Sequence, residues 1–564
     1  MMQGFYGSSK LLSLYFIIAL LLVCSAYAEL RTFELNISRG SLNPDCYERG
    51  YTGLLVNGQF PAPPIRVTKN DHVHVIIHND VDSNHSTTIH YHGILQIGTP
   101  EADGVPGLTQ VAIQPGETYH QRFQVIDQTG TYYYHAHLGL SDDTVSGPFI
   151  VYESEDAWPS KDNKKKLKDG PYEYDDERTL FLSEWWHQTE QERMDYIMGT
   201  NYRGMVGADS YLINGKAVYS RESGCEYPTI DVEPQKVYRV RVIGGLTLAV
   251  VGVSFARHNL TIIEVDGQLV KPHSVSYLEV APGQRFSVLL TTDQPAADQS
   301  YFIDTKPYYI RETESNGRAI LRYNTKLPAT TASVDEHPKF PPPTPQWHFA
   351  DLAPFNPPSI DLEKEADRTI VIKPMEKVMA DNTTAWLLND RLYYPSDGTN
   401  KAHPPLLAKF IGNDGKDFVS KQQQRLEADS FDPDIGAYTL QFNETVDIVI
   451  HTTAIANGVC IGHPWHTHGH YHYVLAHGAG EYVHEQDKDL RTYQTAIARD
   501  TSFVYPVQPG PPPRTAGNTL CGWSKIRIYT SNPGVWPLHC HITSHMVQGM
   551  MTVLVAAPDK LSLL

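Results

Sequence analysis

Four pairs of histidines separated by a single residue stand out in this chain of 564 residues. Residues i and i+2 of a β-strand project from the same face, so each pair would present two imidazoles side by side. Imidazole nitrogens are common ligands of transition-metal ions. Four pairs can therefore converge on one compact site for several ions. The pairs are His90 and His92, His135 and His137, His466 and His468, and His539 and His541.

Cys540 stands between the members of the last pair, so its side chain must point to the opposite face of that strand. His463 precedes the third pair, and His545 and Met550 follow Cys540. One thiolate, two imidazoles and a weak axial thioether form the ligand set of a blue-copper electron-transfer centre. The sequence therefore predicts a mononuclear copper site that shares a strand with the polynuclear site.

The segments around these residues have the pattern of short strands between turns rich in Gly, Pro, Asn and Asp. Residues 73–77, 236–242 and 445–450 are examples. A helix is expected only around Gln188 to Met198. This organisation is typical of β-sandwiches and predicts an all-β fold.

The ligand-bearing segments are copies of one another. Residues 130–137 and 147–151 parallel residues 534–541 and 549–555, and a weaker copy without histidine runs from 301 to 321. Such internal similarity predicts three related β-sandwich domains, of which the first and third kept metal ligands. The expected domain limits are 29–160, 175–330 and 360–564.

Two segments are expected to connect these domains. Lys161 to Gly170 contains three consecutive lysines and has the composition of a charged, solvated linker. His337 to Pro358 is rich in proline, which favours an extended connection.

The chain begins with Lys10, an apolar run from Leu11 to Val23, and Ala26-Tyr27-Ala28. This is the order of a secretory signal peptide, so we expect residues 1–28 to be removed and the protein to be secreted to the extracellular space. The alternative is a signal anchor, for which the apolar run is short. No later segment has 18 consecutive apolar residues, so no membrane anchor is expected.

The net charge of −18 argues against nucleic acid or an anionic membrane as a partner, because proteins that bind them carry clustered Lys and Arg.

For a secreted protein, the five N-x-Ser/Thr sequons of this chain are candidate glycosylation sites. They begin at Asn36, Asn84, Asn259, Asn382 and Asn443.

Five cysteines remain after removal of the signal peptide, and an odd number in an oxidising compartment leaves one thiol for another role. If Cys540 is a copper thiolate, four cysteines remain for two possible disulfides. The four are Cys46, Cys225, Cys460 and Cys521.

With these motifs, essentially the whole mature sequence resembles the multicopper oxidases of the three-cupredoxin-domain type, whose domains are Greek-key β-sandwiches. The resemblance implies four copper ions. It assigns His463, Cys540, His545 and axial Met550 to the type 1 copper, and His90 and His466 to the type 2 copper. The remaining ligands, assigned to the type 3 pair, are His92, His135, His137, His468, His539 and His541.

The resemblance also implies a reaction. A small reductant would give electrons singly to the type 1 copper, with Cys540 and His545 on the electron path, and dioxygen would be reduced to water at the other three coppers. Asp103 matches the acidic residue that the family keeps near the trinuclear site, where protons are consumed. Many relatives place Glu between the last two histidine ligands, whereas this chain has Thr543, so the second proton donor is open.

Within the family, the segment His90 to Gly104 is most similar to that of ascorbate oxidases. Segments 182–188 and 385–390 resemble those that supply tryptophans beside the ascorbate pocket, which makes Trp386 and one of Trp185 or Trp186 candidates for stacking on a flat donor. We favour Trp186. The donor class stays open among ascorbate, laccase-type phenols and, less favoured, ferrous iron.

Disulfide pairing is likewise implied by resemblance. Cys46 and Cys225 match a bridge between the first and second domains, and Cys460 and Cys521 are expected to pair within the third. Val111 stands where ascorbate oxidases have another cysteine. Relatives are often dimers, so a monomer or a homodimer is expected.

Overall fold

The computed structural model describes residues 28–561 apart from short gaps. The gaps are 49, 160–165, 221–223, 296–297, 311–314, 346, 394–402, 413–414, 427–429, 456–457 and 507–518. The predicted signal peptide, residues 1–28, lies outside the described residues except for its last position.

The first β-sandwich packs a sheet of strand order β2-β1-β4-β6 on a sheet of order β3-β8-β7-β5. Valines 73 and 75 of β4 are buried between the sheets while His72 is exposed, as the two-residue period of a half-buried strand requires. The strands are β1 Leu30–Leu42, β2 Tyr51–Val56, β3 Ile65–Thr68, β4 His72–Asn79, β5 Ile89–His92, β6 Thr118–Gln124, β7 Gly130–Ala136 and β8 Ser146–Tyr152. Single 3-10 turns occupy Val81–Ser83, Pro100–Asp103, Ser141–Asp143 and Glu155–Ala157.

The second sandwich packs a sheet of order β12-β11-β14-β19-β16-β17 on one of order β13-β21-β20-β15-β18. A small hairpin, β9 and β10, precedes it and includes part of the segment expected to be a linker. The strands are β9 Leu167–Asp169, β10 Tyr172–Tyr174, β11 Asp176–Trp185, β12 Ser210–Ile213, β13 Thr229–Asp231, β14 Val237–Gly244, β15 Val250–Phe255, β16 Leu260–Val265, β17 Gln268–Val275, β18 Leu278–Val280, β19 Arg285–Thr291, β20 Ser300–Tyr308 and β21 Arg318–Arg322.

The expected helix is present as α1, Glu190–Met198. Thr189 caps it: its hydroxyl accepts the backbone N–H of Glu192, and the Glu192 carboxylate accepts the N–H of Thr189. This reciprocal capping box satisfies two backbone donors that a helix start would leave unpaired.

The third sandwich packs β22-β27-β32-β29-β30 on β25-β26-β34-β33-β28-β31, with the hairpin β23-β24 at its side. The strands are β22 Arg368–Ile372, β23 Pro374–Val378, β24 Thr384–Leu388, β25 Phe431–Asp432, β26 Ala437–Leu440, β27 Thr445–Thr453, β28 His463–Thr467, β29 His472–Gly478, β30 Ala498–Arg499, β31 Thr501–Val504, β32 Leu520–Tyr529, β33 Gly534–Cys540 and β34 Met551–Ala556. The helices are α2 Leu406–Ile411, α3 Gly415–Leu426, α4 His484–Asp487, α5 Thr543–Val547 and α6 Pro558–Leu561.

Three sandwiches confirm the predicted all-β class. The repeated segments become β7–β8, β20–β21 and β33–β34, each an antiparallel pair. Disulfides join Cys46 to Cys225 and Cys460 to Cys521, with Cα atoms 6.3 and 6.0 Å apart. Within the part of the chain described here, no helix has the length and apolar character needed to cross a membrane.

Candidate metal centre

Cys540, His463 and His545 form one buried group. The Cys540 Sγ atom lies 3.7 Å from Nδ1 of His463 and 3.8 Å from Nδ1 of His545. Cys540 ends β33, His463 begins β28, and His545 lies in α5. Burial raises the pKa of the Cys540 thiol, so a bound cation is needed to stabilise the thiolate.

Met550 is held beside this group by the backbone. The N–H of Cys540 donates to the carbonyl of Met550 at 3.0 Å, and the N–H of Met550 donates to the carbonyl of His545 at 2.9 Å. Met550 is fully buried. The four residues that the sequence singled out for a mononuclear copper site are thus brought together.

The other eight histidines form a second group at the boundary between the first and third sandwiches. Strand register creates it: β5 and β7 pair His90 with His135, and β28 and β33 pair His466 with His539. Every one of the eight is at most 4 % exposed. The histidines form three sets, and within each set the ligand nitrogens lie within 4.8 Å of one another. The sets are His90, His92 and His466; His92, His135 and His541; and His137, His468 and His539.

Backbone carbonyls orient four of these rings. The Nδ1 atom of each donates to a carbonyl oxygen at 2.7, 2.8, 2.9 or 3.0 Å, which fixes the tautomer and directs Nε2 into the group. For three of them, Nε2 is buried without a hydrogen-bond partner among the described residues. Orphaned imidazole nitrogens of this kind fit bound copper. The four rings are His90, His135, His466 and His539.

These imidazoles are held neutral. Burial lowers the pKa of His463 to about 3 and of His539 to about 4. Burial and the neighbouring imidazoles also lower the pKa of His92 and His466 well below the usual range. A neutral imidazole is the form that binds a metal ion.

The candidate ligands named above lie in the first and third sandwiches, and the second sandwich supports the histidine group. Arg285 donates to both carboxylate oxygens of Asp500, at 2.6 and 2.5 Å. The Oδ1 atom of Asp500 lies 3.2 Å from Nε2 of His92. Gly283 has φ +82°, and a Cβ there would come within 2.8 Å of the His92 ring, so only glycine permits this approach. One buried ion pair therefore joins all three sandwiches at the site.

Sequence models of the multicopper oxidase family match residues 36–156, 176–326 and 400–560. The chain is 30 % identical to an L-ascorbate oxidase of Nicotiana tabacum, over 93 % of this chain and 89 % of the relative. It is 31 % identical to Laccase-2 of Fomitopsis schrenkii, over 95 % of this chain and 92 % of the relative. The chain belongs to the multicopper oxidase family. Its fold is also that of Fet3p, a multicopper oxidase that functions in iron import. The two structures align with a TM-score of 0.75 and 25 % identity, over 95 % of this chain and 92 % of Fet3p.

In this oxidase, Asp103 lies within the histidine group. Its Oδ2 atom accepts a hydrogen bond from Nδ1 of His468 at 2.9 Å, and its backbone carbonyl accepts one from Nδ1 of His90 at 2.7 Å. Asp103 is fully buried, and its Oδ1 atom has no hydrogen-bond partner in the described part of the oxidase. The carboxylate is therefore placed to orient two rings; its predicted part in proton supply stays a prediction.

The two tryptophans expected to stack on a donor have different surroundings. Trp386 is fully buried, with its ring centroid 5.2 Å from that of His463 and 4.7 Å from that of His545. That placement leaves no open face for a donor, so the expected stacking role does not fit Trp386. Sequence alone could not distinguish an aromatic ring on the interior side of the site from one on its solvent side.

Trp186 is 4 % exposed, and the Arg193 guanidinium covers one face of its ring, 3.6 Å from the ring centre. It lines a cavity of about 30 Å³ with Thr543 and Ser544. A cavity of that size holds little more than one water molecule. Trp185 instead stacks on Tyr51. His545, expected on the electron path, is 1 % exposed.

Sequence reasoning missed two polar groups beside the histidines. The Tyr133 hydroxyl lies 3.1 Å from Nε2 of His541, and the Asp142 carboxylate accepts a hydrogen bond from Thr543 at 2.6 Å. In sequence, Tyr133 and Asp142 lie on either side of the pair His135 and His137. This proximity is the signal that could have identified them.

Proposed function

We propose that the protein is a secreted multicopper oxidase that couples one-electron oxidation of L-ascorbate to the four-electron reduction of dioxygen to water. The observation that carries the proposal is the convergence of ten histidines, Cys540 and Met550 into two adjoining buried groups. Four copper ions would be held. The proposed ligands are His463, Cys540, His545 and Met550 for type 1, His90 and His466 for type 2, and His92, His135, His137, His468, His539 and His541 for the type 3 pair.

Bound copper would supply the one-electron chemistry at the first group and oxygen reduction at the second. The chain's own contribution is positioning. Cys540 is covalently bonded to His539 and His541, so the backbone of β33 joins the two groups by the shortest possible path. Buried carbonyls orient the rings, and the closed interior excludes water from the histidine group.

Support for ascorbate comes from the relatives and from the axial ligand. Several L-ascorbate oxidases match this chain over more than nine-tenths of its length. Methionine at position 550 favours a lower type 1 potential than Leu or Phe would, which suits an easily oxidised donor. A pocket of about 650 Å³ beside β24 is lined by Tyr202, Arg203, Glu376 and Thr384, and Arg203 offers a contact for an anionic donor there.

Secretion is part of the proposal. The two disulfides suit an oxidising compartment, and all five sequon asparagines are exposed, as glycosylation requires. We propose the domain limits 29–160, 175–330 and 360–564 for the mature enzyme, which would act as a monomer or a homodimer on a small reductant and dioxygen, without nucleic acid or a membrane anchor.

Oxygen uptake by copper-loaded protein tests the donor. We expect the highest kcat/KM with ascorbate, compared with a methoxyphenol and ferrous iron, and none with copper-free protein. A higher kcat/KM with the methoxyphenol would make the enzyme laccase-like, and one with iron would make it a ferroxidase. Absence of uptake with all three would contradict the oxidase function itself.

A further inference from the structure

Thr543 lies between two candidate ligands, two residues after His541 and two before His545. The structure brings a carboxylate to it. The Thr543 hydroxyl donates to Oδ2 of Asp142 at 2.6 Å, although the two residues are 401 positions apart. Asp142 is 7 % exposed, and its other oxygen, Oδ1, is buried without a hydrogen-bond partner among the described residues. A buried carboxyl with one unsatisfied oxygen is costly as an anion and favours a bound proton.

Asp142 lies close to the histidine group. It is five residues after His137, in the 3-10 turn Ser141–Asp143 that follows β7. Burial is the main reason that the pKa of Tyr133 is raised; Arg285 opposes the rise, and the charge of Asp142 adds to it. Asp142 therefore lies within electrostatic reach of the hydroxyl that contacts His541.

Two carboxyls near Asp142 reach the protein surface. Asp143 and Glu190 line an open pocket of about 390 Å³ together with His85 and Thr189. The Thr247 hydroxyl donates to Asp143 at 3.0 Å, and Ser141 donates to Glu190 at 2.8 Å.

The charges around Asp142 favour protonated carboxyls. Arg193 forms an ion pair with Asp143, while Glu190 and Glu184 add further carboxyls nearby. Burial raises the pKa of Asp142, Asp143 and Glu190, and raises that of Glu184 to about 7. Arg193 lowers the pKa of Asp142 and Asp143, and His85 lowers that of Glu190, but burial outweighs these charges, so the cluster favours bound protons.

We propose that Asp142 supplies protons to the proposed oxygen-reducing site through the Thr543 hydroxyl. The role rests on the proposed oxidase function. Reduction of one dioxygen to two waters consumes four electrons, which come from the donor, and four protons. Asp142 releases a proton through Thr543 and regains one from pocket water by way of Glu190 and Asp143, so it is unchanged after each turnover.

The test compares two half-reactions in Asp142→Asn and Thr543→Val, both nearly isosteric. Anaerobic bleaching of the blue band measures electron entry and should stay within about twofold of wild type. Reoxidation by dioxygen should slow by roughly 100-fold, the range of general acid catalysis, with a larger solvent isotope effect. The double variant Asp142→Asn/Thr543→Glu should recover most of the rate with a changed pH profile. Asp195→Asn, on the exposed side of α1, is the control.

Copper-free protein provides a readout independent of turnover. The infrared band of a protonated carboxyl at neutral pH should decrease in Asp142→Asn and stay in Asp195→Asn. Reoxidation of fully copper-loaded Asp142→Asn at the wild-type rate would overturn the role of Asp142 alone, as would an unchanged infrared spectrum. Absence of oxygen uptake in wild type would overturn the oxidase function and this role with it.

Discussion

The indole of Trp386 packs on the imidazole of His545, with ring centroids 4.7 Å apart and planes inclined by 47°. The same ring meets His463 edge-on at 5.2 Å. Its backbone N–H donates to the carbonyl of Gln548 at 2.8 Å, which ties β24 to the segment after α5. Trp386 therefore supports both histidines of the proposed type 1 site from within the protein.

Trp386→Ala should disturb that site. Removing a fully buried indole leaves a cavity that typically costs about 3–5 kcal/mol, and both imidazoles lose their packing partner. We expect a lower midpoint of thermal unfolding and a weaker or shifted blue absorption band, with Trp386→Phe intermediate. Trp158→Phe, at a half-buried tryptophan of the first domain, is the control. An unchanged spectrum with a raised KM for ascorbate would instead indicate a donor contact.

Asp103→Ala should slow reoxidation by dioxygen more than anaerobic reduction of the type 1 copper. The carboxylate accepts a hydrogen bond from His468 and lies in the histidine group at which we propose that dioxygen is reduced, whereas we propose that electrons enter at the group of Cys540. Stopped-flow measurement of the two half-reactions separates them. Asp103→Asn keeps a hydrogen-bond acceptor for His468, so a normal rate in this variant would assign Asp103 a positioning role alone. Equal reoxidation rates in Asp103→Ala and wild type would contradict both roles.

The grouping of the candidate ligands could be predicted because their spacing is local. Two histidines at i and i+2 face the same way on any strand, and Cys540 between two of them must face the other way. Strand pairing then needed only to align β28 with β33, which places His466 opposite His539. The three repeats and the helix at Glu190–Met198 were local signals of the same kind.

Contacts between distant residues could not be predicted. Arg285 and Asp500 are 215 residues apart, and either one alone has the pattern of an ordinary surface charge. The same holds for Asp142 and Thr543, since a serine- and aspartate-rich turn gives no indication of its partner. The burial of Trp386 depended on how β24 packs on α5, which sequence periodicity does not encode.

Asp500→Asn should destabilise the junction of the three sandwiches. The change removes the carboxylate that Arg285 binds through both oxygens and leaves Asp266, 3.5 Å away, as the remaining counter-charge of that buried guanidinium. Removing one partner of a buried ion pair typically costs about 3–5 kcal/mol, and the carboxylate beside His92 is lost as well. We expect a lower unfolding midpoint and reduced copper content. The matched control is Glu336→Gln, which breaks an exposed pair with Arg257 and should cost at most about 1 kcal/mol. Equal effects of the two variants would contradict a central role for the buried pair.

His472 should contribute to acid sensitivity without binding copper. Its ring is fully buried between two hydroxyls, with Nδ1 2.9 Å from Thr467 and Nε2 3.0 Å from Ser502. Burial, with Arg499 nearby, lowers its pKa to about 3. In the unfolded chain the ring titrates near the ordinary histidine value of about 6.5. The unfolded state therefore takes up a proton first as pH falls, so the stability from neutral His472 is complete above about pH 6.5 and is lost between about 6.5 and 3.

The copper-free protein isolates this effect from metal release. Between pH 7.5 and 4.5, we expect His472 to account for a loss on the order of 2 kcal/mol in the free energy of unfolding. His472→Gln, which cannot be protonated in this range, should show a smaller fall in the unfolding midpoint over the same interval. His403→Gln, at an exposed histidine, is the control and should behave as wild type. If His472→Gln lost as much stability on acidification as wild type, another buried histidine would have to carry the transition.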